Sequence, residues 1–278
     1  MSEKPGYVRP LSAESRGEAP GRGRLEGRKV LVVGGGQRTF DAATDPVGNG
    51  RAMSLLFARE GARVAVADLR RASADETVEK IRQGDGQAVA IEADIAREAD
   101  VVRMVAEAEK ALGGLDGLVL NVGIGVGARG LGGVVAEEWD TVLAVNLRGP
   151  VLCCREALPR LAPGASIVFI SSIAGLRPGS GLVAYDASKA ALVGLMRQTA
   201  LEGSRRGIRA NVICPGLVDT PLGRLATAGR PSRAQTPVPF GRQATGWEIA
   251  YAALFFTSDE SVYVTGQVLA VDSGLTTL

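Results

Sequence analysis

Short apolar runs alternate with amphipathic stretches along the chain from Lys29 onward. The apolar runs are bounded by turn-forming residues and lack strict alternation, which predicts strands buried on both faces. The stretches between them repeat apolar positions at helical spacing, which predicts helices packed on a parallel sheet. Seven strands are expected, at Lys29–Val33, Arg63–Asp68, Ala88–Glu92, Gly117–Asn121, Ser166–Ser171, Arg209–Cys214 and Gln267–Val271.

Six helical segments are expected between these strands. The longest is expected to break near Gly149-Pro150, because proline lacks the amide hydrogen that an uninterrupted helix needs. The order of elements predicts an α/β fold: a doubly wound (Rossmann) seven-stranded parallel sheet with helices on both faces, in a single domain. The expected helices are Gly50–Glu60, Ser73–Gln83, Glu98–Leu112, Glu137–Arg160, Tyr185–Arg206 and Glu248–Thr257.

Two segments stand outside this pattern. Residues 1–26 are rich in Gly, Pro, Arg and Glu and lack apolar periodicity, so we expect a flexible N-terminal arm, with one folded domain over 27–278. Residues from about 222 to 240 contain three prolines, Pro231, Pro237 and Pro239. A mobile flap over a substrate and a plain surface loop both fit such a segment.

Composition narrows the class of partner and the location. The chain has 32 basic and 30 acidic residues, for a net charge of +2, so neither nucleic acid nor a membrane surface is the expected partner. The three cysteines lie in apolar contexts and are expected to be core thiols in a reducing compartment. No apolar run has the length of a membrane span, and no N-terminal secretion signal is present. We therefore expect a cytoplasmic protein with a small-molecule partner.

A glycine-rich segment follows the first strand and opens the first helix of the sheet. It reads Gly34-Gly35-Gly36, then Gln37 to Val47, then Gly48-Asn49-Gly50. Glycines at this point let the backbone approach a pyrophosphate, whose charge the helix N-terminus stabilises. The interruption Gln37–Val47 fits a lid over the adenosine or pyrophosphate, or a tolerated surface insertion.

Asp68 ends the second strand, where a carboxylate can accept hydrogen bonds from the ribose of a dinucleotide. The same charge repels a 2′-phosphate, so the predicted cofactor is NAD rather than NADP. NADP stays possible, because Arg38, Arg70 and Arg71 lie in the interruption or just beyond Asp68.

A tyrosine and a lysine four residues apart provide the candidate chemistry in a chain without histidine. On a helix, Tyr185 and Lys189 share one face, and a positive charge about 4 Å from a phenol supplies about the 4 kcal/mol that lowers its pKa from about 10 to about 7. Ser172 follows the fifth strand, where a hydroxyl can polarise a substrate carbonyl. Asn146 adds an amide within a helix. A helix cap and a kink-associated polar residue are the alternatives for Ser172 and Asn146.

The order and spacing of these motifs strongly resemble the short-chain dehydrogenase/reductase family. The resemblance extends from about Leu25 to Leu275 and includes Asp94-Ile95 after the third strand and Asn121-Val122-Gly123 after the fourth. It continues through Tyr185 and Lys189 to the run from Pro215 to Thr220.

The resemblance implies an NAD(H)-dependent oxidoreductase that acts on a secondary alcohol or ketone and needs no metal. The implied catalytic residues are Asn146, which holds a water, Ser172, which holds the substrate oxygen, Tyr185, the general acid/base, and Lys189, which binds the nicotinamide ribose and lowers the tyrosine pKa. The implied cofactor-binding residues are Gly35, Gly36, Gly48, Asn49, Gly50, Asp68, Asp94, Ile95, Asn121, Gly123, Tyr185, Lys189, Pro215, Val218 and Thr220.

Two departures and two rival functions accompany the resemblance. Gly34 replaces the family's usual threonine, and Leu120 replaces the first asparagine of its Asn-Asn-Ala-Gly motif. The long glycine loop resembles that of enoyl-carrier-protein reductases, although that branch spaces its tyrosine and lysine more widely. A non-catalytic nucleotide-sensing or scaffold protein is the other alternative. The family also implies a homo-oligomer, a tetramer or dimer, built partly through the helix that carries Gly194, Ala200 and Gly203.

Overall fold

A computed structural model describes residues 8–41, 43–127, 129–228, 233 and 236–278 of the chain. Within them, seven strands form one sheet in the order β3-β2-β1-β4-β5-β6-β9, and every pair of neighbours is parallel. Its strands are β1 (Lys29–Val33), β2 (Arg63–Asp68), β3 (Gln87–Glu92), β4 (Leu115–Leu120), β5 (Leu161–Ile170), β6 (Arg209–Pro215) and β9 (Val268–Val271). The predicted doubly wound parallel sheet is confirmed.

Helices cover both faces of the sheet, and each face has its own core. One core joins the strands to α4, α6 and α7, and the other joins them to α2, α3 and α9. The strands are buried on both sides because each face meets a layer of helices. The helices are α1 (Ala13–Arg16), α2 (Asn49–Arg59), α3 (Arg71–Gln83), α4 (Glu98–Leu112), α5 (Ala136–Leu143), α6 (Gly149–Ala157), α7 (Val183–Gly203), α8 (Pro221–Ala228) and α9 (Gly246–Thr257).

The helix does not break at Gly149-Pro150 as predicted; the irregularity is a π-helical turn directly before these residues. Residues Ala144–Arg148 form this turn, and α5 and α6 continue on either side of it with helical dihedral angles. Pro150 is tolerated because it lies in the first turn of α6, where an amide hydrogen is not required. The π-helical turn widens the helix without ending it, and Asn146 is the buried residue of this turn.

Residues 8–26 pack onto the domain, which differs from the flexible arm expected over 1–26. Leu25 is fully buried, and the buried carboxylate of Glu60 accepts hydrogen bonds from the backbone amides of Arg22 and Arg24 and from the Arg24 side chain. A Cβ on Gly17 would lie 2.2 Å from the ring of Trp247 in α9. Residues 1–7 of the predicted arm lie outside the described residues.

Part of the predicted flap is an ordered helix. Residues 222–228 belong to α8, which follows the two-residue strand β7 (Val218–Asp219). Strand β7 pairs in parallel with β8 (Ala244–Thr245) in a separate two-stranded sheet, so the segments on either side of the flap are held together. Residues 229–232, 234 and 235 of the flap lie outside the described residues. Among the helices that are described, none has the length and apolar character to cross a membrane.

Candidate active site

The candidate site lies along the edge of the sheet where the strands end. Because neighbouring strands are parallel, the segments that follow β1, β2, β4, β5 and β6 all emerge at this edge. These segments carry the glycine loop, Asp68, Asn121, Ser172 and Pro215. The sequence thus brings the predicted dinucleotide-binding and catalytic residues to one edge.

The glycines of the loop stand where side chains do not fit. A Cβ on Gly50 would lie 1.8 Å from the carbonyl oxygen of Gly34, and a Cβ on Gly35 would lie 2.8 Å from Oγ of Ser54. Asn121 fixes the loop from the neighbouring strand, since its Nδ2 donates to the Gly34 carbonyl at 2.9 Å. The loop is therefore packed tightly against the start of α2, as a phosphate cradle requires.

Asn49 and Gly48 form the beginning of α2. Gly48 is the N-cap residue, and Asn49 is the first residue of the eleven-residue helix. The Oδ1 atom of Asn49 is buried and has no hydrogen-bond partner among the described residues. An unpaired polar atom at a helix N-terminus fits a site that a polar ligand completes.

Gln37 closes the interruption in the glycine loop. Its Nε2 donates to the carbonyl of Pro46 at 3.2 Å, and its Oε1 accepts from the amide of Gly48 at 2.7 Å. The side-chain amide of Gln37 thus joins the two ends of the insertion. Gly48, which follows the insertion, is thereby held next to Gln37, which follows Gly36.

Asp68 contacts the glycine loop directly. Its Oδ2 accepts from the amide of Gly36 at 3.2 Å, and its Oδ1 accepts from the amide of Arg70 at 3.2 Å. Burial raises the pKa of Asp68, while these amides and the charge of Arg70 lower it. A ligand that lies against Gly36 would also reach the Asp68 carboxylate.

The predicted cofactor-binding residues after β3 and β6 are mostly buried or hydrogen-bonded to other parts of the protein. Oδ1 of Asp94 accepts from the amide of Ala96 at 2.9 Å. Ile95 is only 5% exposed and packs against Gly149, which leaves little of its side chain for a ligand. Val218 is buried, and Oγ1 of Thr220 accepts from the amide of Gly223 at 3.0 Å in the first turn of α8.

Tyr185 and Ser172 meet in the cleft. Ser172 follows β5, and its Oγ accepts from the amide of Ala174 at 3.1 Å. Burial raises the pKa of Tyr185, whereas a hydrogen bond with Ser172 and the charge of Arg233 lower it. The net shift is upward, opposite to the expectation that Lys189 brings the phenol near neutrality. Burial is the largest contribution to this shift, and the sequence does not show how deeply the phenol is buried.

Lys189 is buried beneath the tyrosine. Its Nζ donates to the carbonyl of Ile170 at 3.0 Å and lies 5.7 Å from the centroid of the Tyr185 ring. Burial lowers the pKa of Lys189 to about 8. A Cβ on Gly123 would lie 2.9 Å from this Nζ, so the glycine makes room for the ammonium group.

Asn146 ties the segment after β4 to helix α7. Its Oδ1 accepts from the amide of Ile124 at 2.8 Å, and its Nδ2 donates to the Ile124 carbonyl at 2.8 Å and to Oγ of Ser188 at 3.0 Å. Ser188 in turn donates to the carbonyl of Tyr185 at 2.8 Å. Both amide donors of Asn146 are used in this way, so its side chain positions the backbone around the tyrosine.

Three further residues contribute to the site. Oγ of Ser171 donates to the carbonyl of Lys189 at 2.7 Å, and Ser188 completes the network around Tyr185. Arg233 acts on Tyr185 through its charge and donates to Oγ1 of Thr227 at 2.6 Å. The spacing of Ser188 one residue before Lys189 was visible in the sequence, but the approach of Arg233 depends on the path of the flap.

Comparison with known proteins gives the family. The model described as enoyl-(acyl carrier protein) reductase matches residues 43–276. The chain is 34% identical to 2-(S)-hydroxypropyl-CoM dehydrogenase 3 of Xanthobacter autotrophicus, over 92% of this chain and 99% of that protein. It is 38% identical to an inactive 2-(S)-hydroxypropyl-CoM dehydrogenase 2 of the same organism, over 81% of this chain and 100% of that protein.

A solved structure agrees with these relatives. A short-chain dehydrogenase/reductase from Burkholderia xenovorans superposes with a TM-score of 0.83 at 33% identity, covering 92% of this chain and 99% of that one. The fold, the order of the motifs and the relatives all agree. The chain belongs to the short-chain dehydrogenase/reductase family, whose members are oxidoreductases that use NAD or NADP.

Proposed function

We propose that this protein is an NAD(H)-dependent oxidoreductase that transfers a hydride between nicotinamide and a secondary alcohol or ketone. The observation that carries the proposal is the meeting of Ser172 and Tyr185 at the sheet edge, above the buried Lys189. The dehydrogenase of a hydroxypropyl compound among the relatives supports an alcohol substrate.

The glycine loop and Asp68 would hold the dinucleotide. The close contacts at Gly35 and Gly50 and the unpaired Oδ1 of Asn49 support a ligand whose phosphates lie at the start of α2. The expected nicotinamide-end residues are Gly123, Pro215, Val218 and Thr220. When bound, the nicotinamide donates or accepts the hydride, and the protein orients it.

The proposed preference for NAD follows from the charges around Asp68. Its carboxylate faces Gly36, where an adenosine ribose would lie, and would repel a 2′-phosphate. Two nearby arginines are engaged elsewhere, since Arg71 pairs with Asp75 at 2.9 Å and Arg38 stacks on Phe40 at 4.8 Å. The third, Arg70, lies close enough to Asp68 for its charge to act on that carboxylate, so the preference for NAD is proposed on the Asp68 charge itself.

The side chains supply the proton chemistry. In ketone reduction, the Ser172 hydroxyl donates a hydrogen bond to the carbonyl oxygen, and the Tyr185 phenol gives its proton to that oxygen as negative charge develops. Burial raises the pKa of Tyr185, so the phenol is protonated at neutral pH and ready to act as an acid. Alcohol oxidation needs the phenolate instead, so its rate should rise with pH.

The positioning residues act through these two side chains. Lys189 places a positive charge under the phenol ring, which stabilises the phenolate that ketone reduction produces and alcohol oxidation requires. Asn146 holds the segment after β4 against α7 and so fixes the wall of the cleft. In this proposal, the water that the family resemblance assigns to Asn146 is held by the backbone of the π-helical turn, because both side-chain donors are in use.

Two rival functions have an observation in their favour. The description of the matching family model favours an enoyl reductase, whereas the spacing of Tyr185 and Lys189 favours alcohol and ketone chemistry. The inactive relative favours a non-catalytic nucleotide-sensing or scaffold role. A scaffold has no need for Ser172, Tyr185 and Lys189 in contact, which is why we prefer catalysis.

The test begins with the binding of NAD, NADH, NADP and NADPH to the purified protein, followed by turnover on panels of ketones, secondary alcohols and enoyl thioesters. We expect binding of NADH and turnover of a ketone or alcohol. Tyr185→Phe should lower kcat by about 10²- to 10⁴-fold with unchanged NADH affinity, as expected for loss of a general acid.

Tyr263→Phe is the matched control, because Tyr263 is fully exposed at 101% relative accessibility. It should leave kcat unchanged. Undiminished turnover by the Tyr185→Phe variant would contradict the proposed mechanism. NADH binding without turnover on any panel would favour the sensor.

We also propose that the protein is a homo-oligomer that uses α7. Gly203 is needed inside the subunit, since a Cβ there would lie 2.9 Å from Ile208. Gly194 is exposed, and a Cβ there would meet nothing within 4 Å. An exposed glycine in a long helix fits the close approach of a second copy.

A further inference from the structure

One arginine joins the insertion of the glycine loop to the start of the substrate flap. Nε and Nη2 of Arg224 in α8 donate to the two carboxylate oxygens of Asp219 at 2.7 and 3.0 Å. Its Nη1 donates to the backbone carbonyl of Thr44 at 2.7 Å. The planar guanidinium suits this arrangement, because it can bind a carboxylate with one side and a carbonyl with the other.

The insertion presents that carbonyl from a turn that is fixed internally. Oδ2 of Asp45 accepts from the amides of Phe40 and Asp41 at 2.6 and 3.0 Å. Oδ2 of Asp41 accepts from Oγ1 of Thr44 at 2.7 Å. With Gln37 bonded to Pro46 and Gly48, the described residues of the insertion are tied to one another, so a single outside contact can hold them in place.

The partner on the other side is also fixed. Asp219 lies in β7, which pairs with β8, between Val218 and Thr220. These two neighbours are the residues that we expect at the nicotinamide end of the cofactor. The contact of Arg224 with Thr44 therefore connects the phosphate end of the proposed cofactor groove to its nicotinamide end.

We propose that Arg224 is a positioning residue that fastens the Gln37–Val47 insertion across the dinucleotide groove and slows release of the cofactor. The inference rests on the proposed function for its ligand, but the contact itself does not. A dinucleotide held by Asp68 at one end and by Val218 at the other would contact both the glycine loop and the segment that leads into α8, the two parts that Arg224 joins. Its release then requires the contact with Thr44 to open.

The first experiment tests the contact without any cofactor. Arg38 is exposed at the start of the insertion, so trypsin can cleave after it, and mass spectrometry can follow that one product. We expect the variant Arg224→Gln to be cleaved after Arg38 about fivefold faster than the wild type, the size of effect expected when a partly exposed contact of about 1 kcal/mol is lost. Arg224→Lys should give an intermediate rate.

Arg160→Gln is the matched control. Arg160 forms a comparable half-exposed pair with Glu109 at 3.1 Å, and this pair lies at the opposite edge of the sheet, where α4 ends and β5 begins. The control should leave cleavage after Arg38 unchanged. Thermal melting of each variant shows whether a faster cleavage reflects global unfolding.

The second experiment measures the release of NADH by stopped-flow fluorescence. We expect Arg224→Gln to release NADH about fivefold faster than the wild type. A second background has residues 38–45 replaced by two glycines, which removes Thr44. In that background, Arg224→Gln should change the release rate by less than about twofold, because the carbonyl partner is gone.

The outcomes separate this inference from the proposed function. Equal cleavage after Arg38 in wild type and Arg224→Gln overturns the fastening contact. Faster cleavage with unchanged NADH release overturns the assigned role in cofactor retention, as does an equal effect of Arg224→Gln in both backgrounds. Failure of the wild type to bind any nicotinamide nucleotide contradicts the proposed function and, with it, the role in cofactor release.

Discussion

Replacing Lys189 by methionine should stabilise the folded protein at neutral pH while it abolishes catalysis. Lys189 is buried, and burial lowers its pKa from 10.5 to about 8. Protonated at pH 7, it places a positive charge where the fold favours the neutral amine. Methionine has a similar length and no charge, so it removes this penalty.

The magnitude follows from the pKa difference. A shift from 10.5 to about 8 corresponds to about 3 kcal/mol of unfolding free energy at low pH. Methionine also leaves the Ile170 carbonyl without its donor, which costs about 1 kcal/mol. We therefore expect Lys189→Met to raise the free energy of unfolding by about 2 kcal/mol at pH 7.

This advantage should shrink as the pH rises. Between pH 8 and 10.5 the unfolded chain keeps the lysine proton and the folded chain loses it, so the wild type gains stability with rising pH from this group. Between pH 7 and pH 9 the gain is about 1 kcal/mol. The difference between variant and wild type should decrease by the same amount.

The assay is urea unfolding of both proteins at pH 7, 8 and 9, at one protein concentration. The comparison must be between the two proteins, because other groups also make stability depend on pH. Burial raises the pKa of the thiols of Cys153 and Cys154, so these groups lower the free energy of unfolding as the pH rises above about 9. The raised pKa of Tyr185 likewise lowers the free energy of unfolding as the pH rises above about 10. The contributions of Cys153 and Cys154 are common to both proteins and cancel, and that of Tyr185 begins above the pH range of the assay. A stability difference that stays constant from pH 7 to pH 9 would refute the reasoning.

Three further predictions concern the cofactor, the N-terminal segment and assembly. Asp68→Ser should shift the preference from NADH toward NADPH by removing the charge that repels a 2′-phosphate, and unchanged affinities for both in a binding titration would contradict that role. Leu25→Ala should lower the free energy of unfolding by about 2–5 kcal/mol in urea, because Leu25 is fully buried; a loss below about 1 kcal/mol would mean that the segment is detached in solution. Gly194→Arg should reduce the oligomer to smaller species in sedimentation experiments, with Gly194→Ala as the smaller substitution; an unchanged mass for Gly194→Arg would place the interface elsewhere.

The sheet, and the proximity of Tyr185 to Lys189 within the candidate site, could be predicted from the sequence because their signals are local. Apolar runs gave the strands, and the spacing of Tyr185 and Lys189 gave a pair on one helix face. The main exception in the sheet is β5, which begins at Leu161 rather than Ser166 and continues through Pro163 and Gly164. Those two residues are typical of turns, so the sequence does not predict the additional pairing of Leu161 with Leu115.

Features that depend on distant contacts could not be predicted. Residues 8–26 contain too few apolar positions for a periodic pattern, yet Leu25 is buried in the core and Gly17 fits against the ring of Trp247. The direction of the Tyr185 pKa shift depends on how deeply the phenol is buried. Sequence spacing gives the charge of Lys189 but not that depth, and burial decides the sign.

Because Gln37 bonds across the base of the insertion, the geometry of the surrounding backbone does not depend on the length of the insertion. One side chain bonds both to Pro46 and to Gly48, so the glycines before and after the insertion are held together whatever lies between them. Loops closed at the base in this way can change length and composition without redesign of the surrounding fold. A peptide grafted between Arg38 and Asp45 should therefore leave the glycine loop in place if Gln37 is retained, at the cost of the contact between Thr44 and Arg224.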